Sequence, residues 1–146
     1  MRFEVSDTEL VKIATDELKH FSETRFLNLP RKIVLNFFEN DQPIGFVSFD
    51  VRWINRNAYI TYYLVPEKRG KGLGKAMVLE AVRFAFDTLN MNRITAEVYD
   101  YNDASIALLR SIGFELEGVM RKAKYHAGRY HDIHIYGLLR ENFGRE

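Results

Sequence analysis

Three glycines at alternate positions, Gly70, Gly72 and Gly74, are the feature of the sequence with the clearest chemical meaning. They follow an apolar, tyrosine-rich segment and precede a segment with helical periodicity, so they are predicted to join a strand to a helix. Glycine lets a ligand approach the backbone closely, and the first N–H groups of a helix are unpaired and partly positive. Arg69 and Lys75 add full charges. The turn is therefore predicted to bind a phosphate or pyrophosphate group.

The turn matches neither of two common nucleotide-binding loops. A Walker A loop requires glycine where this chain has Arg69, and serine or threonine where it has Ala76. A dinucleotide-binding loop requires glycine or alanine at the position of Met77. Taken alone, the glycines are equally compatible with a solvated connection between a strand and a helix.

Other motifs further along the chain complete a known pattern. In chain order the pattern reads Arg69-x-x-Gly72-x-Gly74, Asn102-x-x-Ser105, the segment 111–114 (SIGF) and Glu117-Gly118. It resembles the acetyl-CoA signature of the GNAT superfamily of N-acetyltransferases. The segments 125–132 (YHAGRYHD) and 136–139 (YGLL) are similar to the RimJ/RimL-type branch, which acetylates protein N-terminal amines, and to spermidine acetyltransferases. The resemblance covers about residues 32–139.

The resemblance implies a single domain over residues 1–146 with the GNAT acyl-CoA N-acyltransferase fold. This is a mixed α/β fold with about seven strands flanked by helices. The strand before the glycine turn is expected to carry a bulge near residues 63–65 and to separate from its parallel neighbour, so that acetyl-CoA lies in the gap. No metal is expected. The residues expected to contact acetyl-CoA are Leu64, Val65, Arg69, Gly70, Lys71, Gly72, Leu73, Gly74, Lys75, Asn102 and Ser105.

Acetyl transfer requires a proton for the departing thiolate. Many family members supply it from a tyrosine seven residues after the asparagine, where this chain has Leu109. The RimL type uses the serine three residues after the asparagine, which is Ser105 here. The alternative is that Ser105 only caps or packs within its helix. Tyr101 and Tyr99 are the replacement candidates for the acid.

Transfer also requires a base for the attacking amine and a donor for the developing oxyanion. The backbone N–H of Val65 is the expected oxyanion donor. Glu67, at the end of its strand, is the candidate base, with a solvated turn residue as the alternative. The glutamate that the RimL type carries near the end of the chain is replaced here by Lys124. A further alternative is that water alone serves a partly deprotonated amine.

Four residues are candidates for binding the acceptor. Tyr62 and Tyr63 are expected beside the thioester, with packing within the sheet as the alternative. Tyr130 and Asp132 share one face of the last predicted strand. Asp132 with Tyr130 is predicted to hold a cationic amine, or else Asp132 pairs with a nearby arginine.

The elements that position these residues follow from hydrophobic periodicity and turn signals. Residues 1–5 are predicted as a short strand, a helix begins at Asp7, and 19–30 are irregular or a second short helix. The remaining predictions are strands over 32–39, 44–53 and 58–65, a helix over 75–89, a strand over 93–99, a helix over 102–112, and strands over 114–124 and 129–139. The first three of these strands form an antiparallel meander, and strands joined through helices run parallel. The segment 129–139 is expected at a sheet edge, where it can pair across a homodimer.

Composition limits the class of protein. The chain has 146 residues, 47% hydrophobic and 28% charged, which is an ordinary globular balance for one domain. It has no cysteine, which fits a reducing cytoplasm. No stretch approaches about 20 apolar residues, so no membrane span is expected. Twenty-one basic against 20 acidic residues give no sign of nucleic-acid binding.

These observations predict a cytoplasmic, acetyl-CoA-dependent N-acetyltransferase. The acceptor is expected to be a primary amine: a protein N-terminus, a polyamine or another small amine that attacks the thioester directly. The alternative is a non-catalytic acyl-CoA-binding sensor or interaction module on the same fold, because Leu109 and Lys124 replace residues with catalytic roles in the family.

Overall fold

The computed structural model describes Arg2, Glu4 and residues 29–144. The strand expected over 1–5, the helix expected from Asp7 and most of the segment 19–30 fall outside these residues. The described elements are β1 (Lys32–Glu39), β2 (Gln42–Arg52), β3 (Asn57–Leu64), α1 (Leu73–Asp87), β4 (Arg93–Tyr99), α2 (Asp103–Ile112), β5 (Glu115–His126) and β6 (Arg129–Leu139), with 3-10 turns at Pro66–Lys68 and Arg140–Asn142. Each predicted strand and helix between residues 32 and 139 is confirmed, with ends that differ by two residues or fewer.

The strands form one mixed sheet in the order β1-β2-β3-β4-β6-β5. The predicted meander is confirmed, since β1, β2 and β3 pair antiparallel. Strands β3 and β4, joined through α1, pair parallel. Strands β4 and β5, joined through α2, both pair antiparallel with β6 and therefore run in the same direction. The α/β class is confirmed, with six strands over residues 29–144 instead of about seven.

The last strand corrects one prediction. β6 (Arg129–Leu139) lies inside the sheet, between β4 and β5, and is not an edge. The crossover through α2 carries β5 past the neighbouring position, and the tight turn after β5 brings β6 back into the vacant place. There β6 gains hydrogen bonds on both sides. The exposed edge at this end of the described sheet is β5.

Both helices pack on one face of the sheet. The buried residues of α1 recur one and four positions apart, which gives a continuous apolar stripe along the helix: Met77, Val78, Ala81, Val82, Ala85 and Phe86. The facing strand positions alternate, as Val47, Phe49 and Val51 of β2 show. Full burial of each such large side chain contributes about 1.5–3 kcal/mol. This core holds the strands and helices whose ends build the site.

The helix α2 has a defined start and end. Asn102 is its N-cap, and its Oδ1 accepts the backbone N–H of Ser105 at 3.2 Å. Gly113, with φ of 117°, ends the helix and donates its N–H to the carbonyls of Leu109 and Arg110. The predicted stop at Gly113 is confirmed. Because both ends are held, the first turn of α2 has a definite position beside the sheet.

The sheet opens between its two halves. β3 and β4 pair over only three residues each, Asn57–Tyr59 with Arg93–Thr95. Beyond them β3 continues along β2 as far as Leu64, and β4 continues along β6 as far as Tyr99. Each strand follows its antiparallel partner, so the two strands diverge. The bulge expected near residues 63–65 is absent, because the β2–β3 register is continuous from Asn57 to Leu64.

Within the described residues, neither helix is long and apolar enough to cross a membrane.

Candidate active site

A cleft of about 1490 Å³ lies where β3 and β4 diverge. The glycine turn and the start of α1 border it at the end of β3, and the first turns of α2 form another wall. The strand residues on its walls include both members of the tyrosine pair Tyr62 and Tyr63, and Glu97 and Tyr99 of β4. Because side chains alternate along a strand, described residues of both faces of the sheet line this opening.

The glycine turn leaves the start of α1 open. Gly70 and Gly72 have φ of 79° and 82°, the left-handed region that favours glycine. A Cβ at either position would meet no atom within 4 Å. Gly72 is the N-cap of α1, so no side chain caps this helix, and its first turn holds no acidic residue. The first N–H groups of α1 are therefore free to hold an anion.

The start of α1 and the start of α2 differ in this respect. The side chain of Asn102 caps α2, and Asp103 places a carboxylate in its first turn. The two helices nevertheless meet closely, because a Cβ built on Gly74 would lie 3.5 Å from Cδ1 of Leu108. One open and one capped helix start thus border the same cleft.

Arg69 holds the turn against the strand. Its Nε donates to the carbonyl of Leu64 at 2.8 Å, and its guanidinium lies 5.2 Å from the ring centre of Tyr63. The Nε donor of Arg69, a residue predicted to bind phosphate, is therefore used to position the turn. Lys75 lines the cleft, whereas Lys71 is exposed and does not.

The edge of β3 corrects the predicted oxyanion donor. The N–H of Val65 donates to the carbonyl of Ile44 on β2 at 2.9 Å, so it is not available to the cleft. In an antiparallel pair, alternate residues direct their backbone groups to the partner strand. The intervening residues Tyr62 and Leu64 therefore direct theirs to the side that β4 has left. The N–H groups of these two residues, and not that of Val65, are therefore on the cleft side of β3.

A hydroxyl pair joins two walls of the cleft. Tyr62 on β3 and Ser105 on α2 are joined by a hydrogen bond between Oη and Oγ, and both line the cleft. Burial raises the pKa of Tyr62 above its ordinary value, and the hydrogen bond with Ser105 opposes part of that rise. Tyr62 is therefore a neutral hydrogen-bond donor near pH 7.

The opposite face of the opening carries charged groups. Asp50 accepts a hydrogen bond from Arg31 Nε at 2.7 Å and another from Arg52 at 3.1 Å. These two arginines lower the pKa of the Asp50 carboxyl. Glu97 of β4 is the other carboxylate on the cleft wall, and it forms no ion pair with any residue in the described part of the chain. Lys32 also lines this side.

Several predicted residues lie elsewhere. Glu67 is exposed in the 3-10 turn Pro66–Lys68 and does not line the cleft, because the turn directs it to solvent. Leu109, at the position of the usual tyrosine, is fully buried in the core. Tyr101 stacks on His126 with 4.5 Å between ring centres, in a separate small pocket. Of the two replacement acids, Tyr99 lines the cleft and Tyr101 does not.

The acceptor residues predicted on β6 are also outside the cleft. Tyr130 is 66% exposed and packs against Tyr125 near the hairpin turn. Asp132 accepts the backbone N–H of Lys122 at 2.9 Å. That N–H lies within an irregularity of β5, where the register with β6 shifts between Met120 and Lys124. Asp132 therefore bonds β5 to β6 and does not line the cleft.

Sequence reasoning missed Glu97. It stands in an alternating strand, Thr95 to Tyr99, five residues before Asn102. The usable signal in the sequence was an acidic residue between two apolar residues of a strand, Ala96 and Val98. What the sequence did not show is that β3 leaves β4 at this point, so that the Glu97 side chain faces an opening.

Comparisons with known proteins agree with this geometry. The sequence profile of the family described as "Acetyltransferase (GNAT) family" matches residues 4–114. The chain is 35% identical over 106 residues to the uncharacterized N-acetyltransferase p20 of Bacillus licheniformis, covering 72% of this chain and 60% of that protein. It is 28% identical over 101 residues to the spermidine N(1)-acetyltransferase of Vibrio cholerae, covering 68% and 58%.

Among solved structures, the chain is similar to RimL, the ribosomal L7/L12 alpha-N-protein acetyltransferase in complex with coenzyme A. The TM-score is 0.70 at 28% identity, covering 75% of this chain and 62% of that one. The chain spans about half to three fifths of the length of the curated relatives that it matches.

Proposed function

The chain belongs to the GNAT acetyltransferase family, and from that premise we propose that it transfers the acetyl group of acetyl-CoA to a primary amine. The observation that carries the proposal is the uncapped start of α1, with its glycines open to the cleft between β3 and β4. A pyrophosphate fits there because the free N–H groups and Lys75 supply donors and positive charge. The neighbouring free edge of β3 offers backbone groups to an extended arm.

Acetyl-CoA supplies the activated acetyl group, and the residues of this chain supply the proton chemistry. We assign the base to Glu97, because Asp50, the other carboxylate on the wall, is held by two arginines. The N–H groups that Tyr62 and Leu64 direct to the cleft are placed to stabilise an oxyanion. Ser105 donates a hydrogen bond to the departing sulfur.

The charges on the acceptor side favour an amine with one positive charge. Arg31, Lys32 and Arg52 face the opening together with Asp50 and Glu97. Of the two carboxylates that the described residues place on the cleft wall, Asp50 is paired with arginines and Glu97 is left for a cationic substrate. A polyamine would gain from several free carboxylates, whereas a protein N-terminus needs only one. We therefore propose a protein or peptide N-terminus as the acceptor class. The structural neighbour RimL is named for acting on such a group.

The test measures thiol release from acetyl-CoA with an N-terminal peptide and with spermidine. We expect turnover with both and a higher kcat/KM for the peptide. Glu97→Gln is expected to lower kcat/KM about 100-fold or more, the usual size for a general base. Glu80→Gln, on the exposed side of α1, is the matched control and should have no effect.

Three results would contradict these assignments separately. Coenzyme A binding with no thiol release for any amine would show a binding module in place of an enzyme. Full activity of Glu97→Gln would show that Glu97 is not the base. A preference for spermidine would overturn the acceptor class and leave the reaction intact.

A further inference from the structure

We propose that Tyr62 is a positioning residue that orients the Ser105 hydroxyl toward the sulfur of the acyl donor. This inference rests on the proposed function, which brings the thioester to the cleft. The two side chains lie 43 residues apart in sequence, on β3 and α2, and their hydrogen bond spans two walls of the cleft.

The number of donors on each hydroxyl gives the reason. Serine has one hydrogen and two lone pairs. If Tyr62 donates its hydrogen to Ser105 Oγ, the single hydrogen of Ser105 remains free for another acceptor. A phenol is a stronger acid than an alcohol and is the better donor of the two. No other side chain in the described part of the chain is hydrogen-bonded to Ser105 Oγ.

A second serine in the same helix shows the alternative. Ser111 has no tyrosine partner, and its Oγ donates to the backbone carbonyl of Leu108 at 2.6 Å. Serine hydroxyls in helices commonly turn back to the backbone in this way. A serine hydroxyl that donates to the backbone has no hydrogen left for another acceptor. Within the described residues, Ser105 Oγ forms no such backbone bond, and its hydrogen-bond partner is Tyr62.

The proton balance of the reaction is closed without an extra reagent. A cationic amine first gives one proton to Glu97, directly or through water, and the carboxyl passes it to solvent. The neutral nitrogen then forms a bond to the acetyl carbon and gives a second proton to Glu97, which also passes to solvent. The carbon–sulfur bond breaks and leaves its electron pair on sulfur. Ser105 stabilises that developing thiolate with its free hydrogen, and one proton from solvent converts it to the thiol. Tyr62 neither gains nor loses a proton.

The experiment compares Tyr62→Phe, Ser105→Ala and the double variant, with Tyr125→Phe as control. Tyr62→Phe keeps the half-buried ring and removes only the hydroxyl. Tyr125 is 63% exposed at the hairpin and loses the same group. We expect kcat to fall roughly tenfold in Tyr62→Phe, the size of one neutral hydrogen bond, with KM for acetyl-CoA unchanged. The double variant should equal Ser105→Ala, because the effect of Tyr62 passes through Ser105.

An acyl donor with a better leaving group distinguishes a catalytic effect of Tyr62 from a structural one, because a structural defect would not depend on the leaving group. The selenoester analogue of acetyl-CoA releases a selenolate, which needs less stabilisation than a thiolate because a selenol is the stronger acid. With this donor the kcat deficit of Tyr62→Phe should shrink to less than about twofold, since Ser105 has less to contribute. In the ligand-free protein, the ζ-¹³C signal of Tyr62 should shift in Ser105→Ala and remain in place in Tyr125→Phe.

Each opposite result overturns the inference. If Tyr62→Phe lowers kcat further in the Ser105→Ala background, Tyr62 acts directly and not through Ser105. If the selenoester does not rescue Tyr62→Phe, the loss has a cause other than the leaving group. Thermal unfolding of each variant identifies a general loss of structure. Thiol release by the unmodified chain is measured first, so a failure of the proposed function is seen separately.

Discussion

Replacing Gly72 with glutamate places a negative charge where a pyrophosphate is proposed to bind. Gly72 is the uncapped N-cap of α1, and its Cβ position is open for 4 Å in every direction. For the estimate, we take a separation of about 5 Å between the new carboxylate and a bound phosphate. At the effective dielectric constant of a protein surface, about 20, one pair of like charges at that distance costs roughly 3 kcal/mol. We therefore expect binding of coenzyme A to weaken about 100-fold or more.

The same substitution also strains the backbone, and Gly128 provides the control for this effect. Gly72 and Gly128 have φ of 82° and 80°, and neither has an atom within 4 Å of its Cβ position. A side chain in this left-handed conformation costs about 1–2 kcal/mol at either site. Gly128 lies in the turn between β5 and β6, away from the cleft. Gly128→Glu should therefore show a similar loss of stability and unchanged binding.

Calorimetric titration with coenzyme A measures binding, and thermal unfolding measures stability. Gly72→Gln adds nearly the same bulk without charge, so its affinity should lie between those of the unmodified chain and Gly72→Glu. Equal affinities for Gly72→Glu and Gly128→Glu would refute the anion site at α1. Equal losses for Gly72→Gln and Gly72→Glu would show that bulk, and not charge, is responsible.

Three further predictions concern groups outside the proton chemistry. Thr95 is 4% exposed and donates to Asn57 Oδ1 at 2.9 Å, so Thr95→Val should lower the free energy of unfolding by about 1–3 kcal/mol in denaturant titrations; an unchanged value would contradict the buried hydrogen bond. Asp132→Ala removes the oxygen that accepts the Lys122 N–H, so it should lower the melting temperature and leave the acceptor KM within about twofold, whereas a large rise in KM would show that Asp132 binds the amine. The pKa of Asp100 is lowered by the backbone N–H of Asp132 and by His131, so its stabilising effect is present above the ordinary carboxyl pKa and is lost as pH falls below it. Asp100→Asn should therefore flatten the loss of stability below about pH 4 in acid unfolding curves, and a curve of unchanged steepness would exclude this contribution.

Local patterns were sufficient to predict the elements between residues 32 and 139. Strands β1 to β3 alternate and are separated by polar turns, and the stripe of α1 repeats every three to four residues. These signals depend on neighbours a few positions apart, which the chain itself places. The turn at Gly72 and the stop at Gly113 were predictable for the same reason, since each needs a backbone conformation that glycine adopts easily.

The site itself was predicted only in part. The glycine turn and the pair of Asn102 and Ser105 belong to short motifs, and the structure places them at one cleft. Glu67 and Asp132 were candidates because of their type and strand position, and both lie outside it. An acidic residue has the same appearance in sequence whether it binds an amine, holds a hairpin or faces solvent.

The sequence by itself therefore determined the elements, the glycine turn and the family to which the chain belongs, because those depend on residue type and short spacing. Only the tertiary structure decided which groups meet. The divergence of β3 from β4 depends on hydrogen bonds to two other strands, β2 and β6. That divergence exposes Glu97, brings Tyr62 against Ser105 and leaves the amide of Val65 on the β2 side. Such contacts join residues far apart in the chain, and no local pattern specifies them.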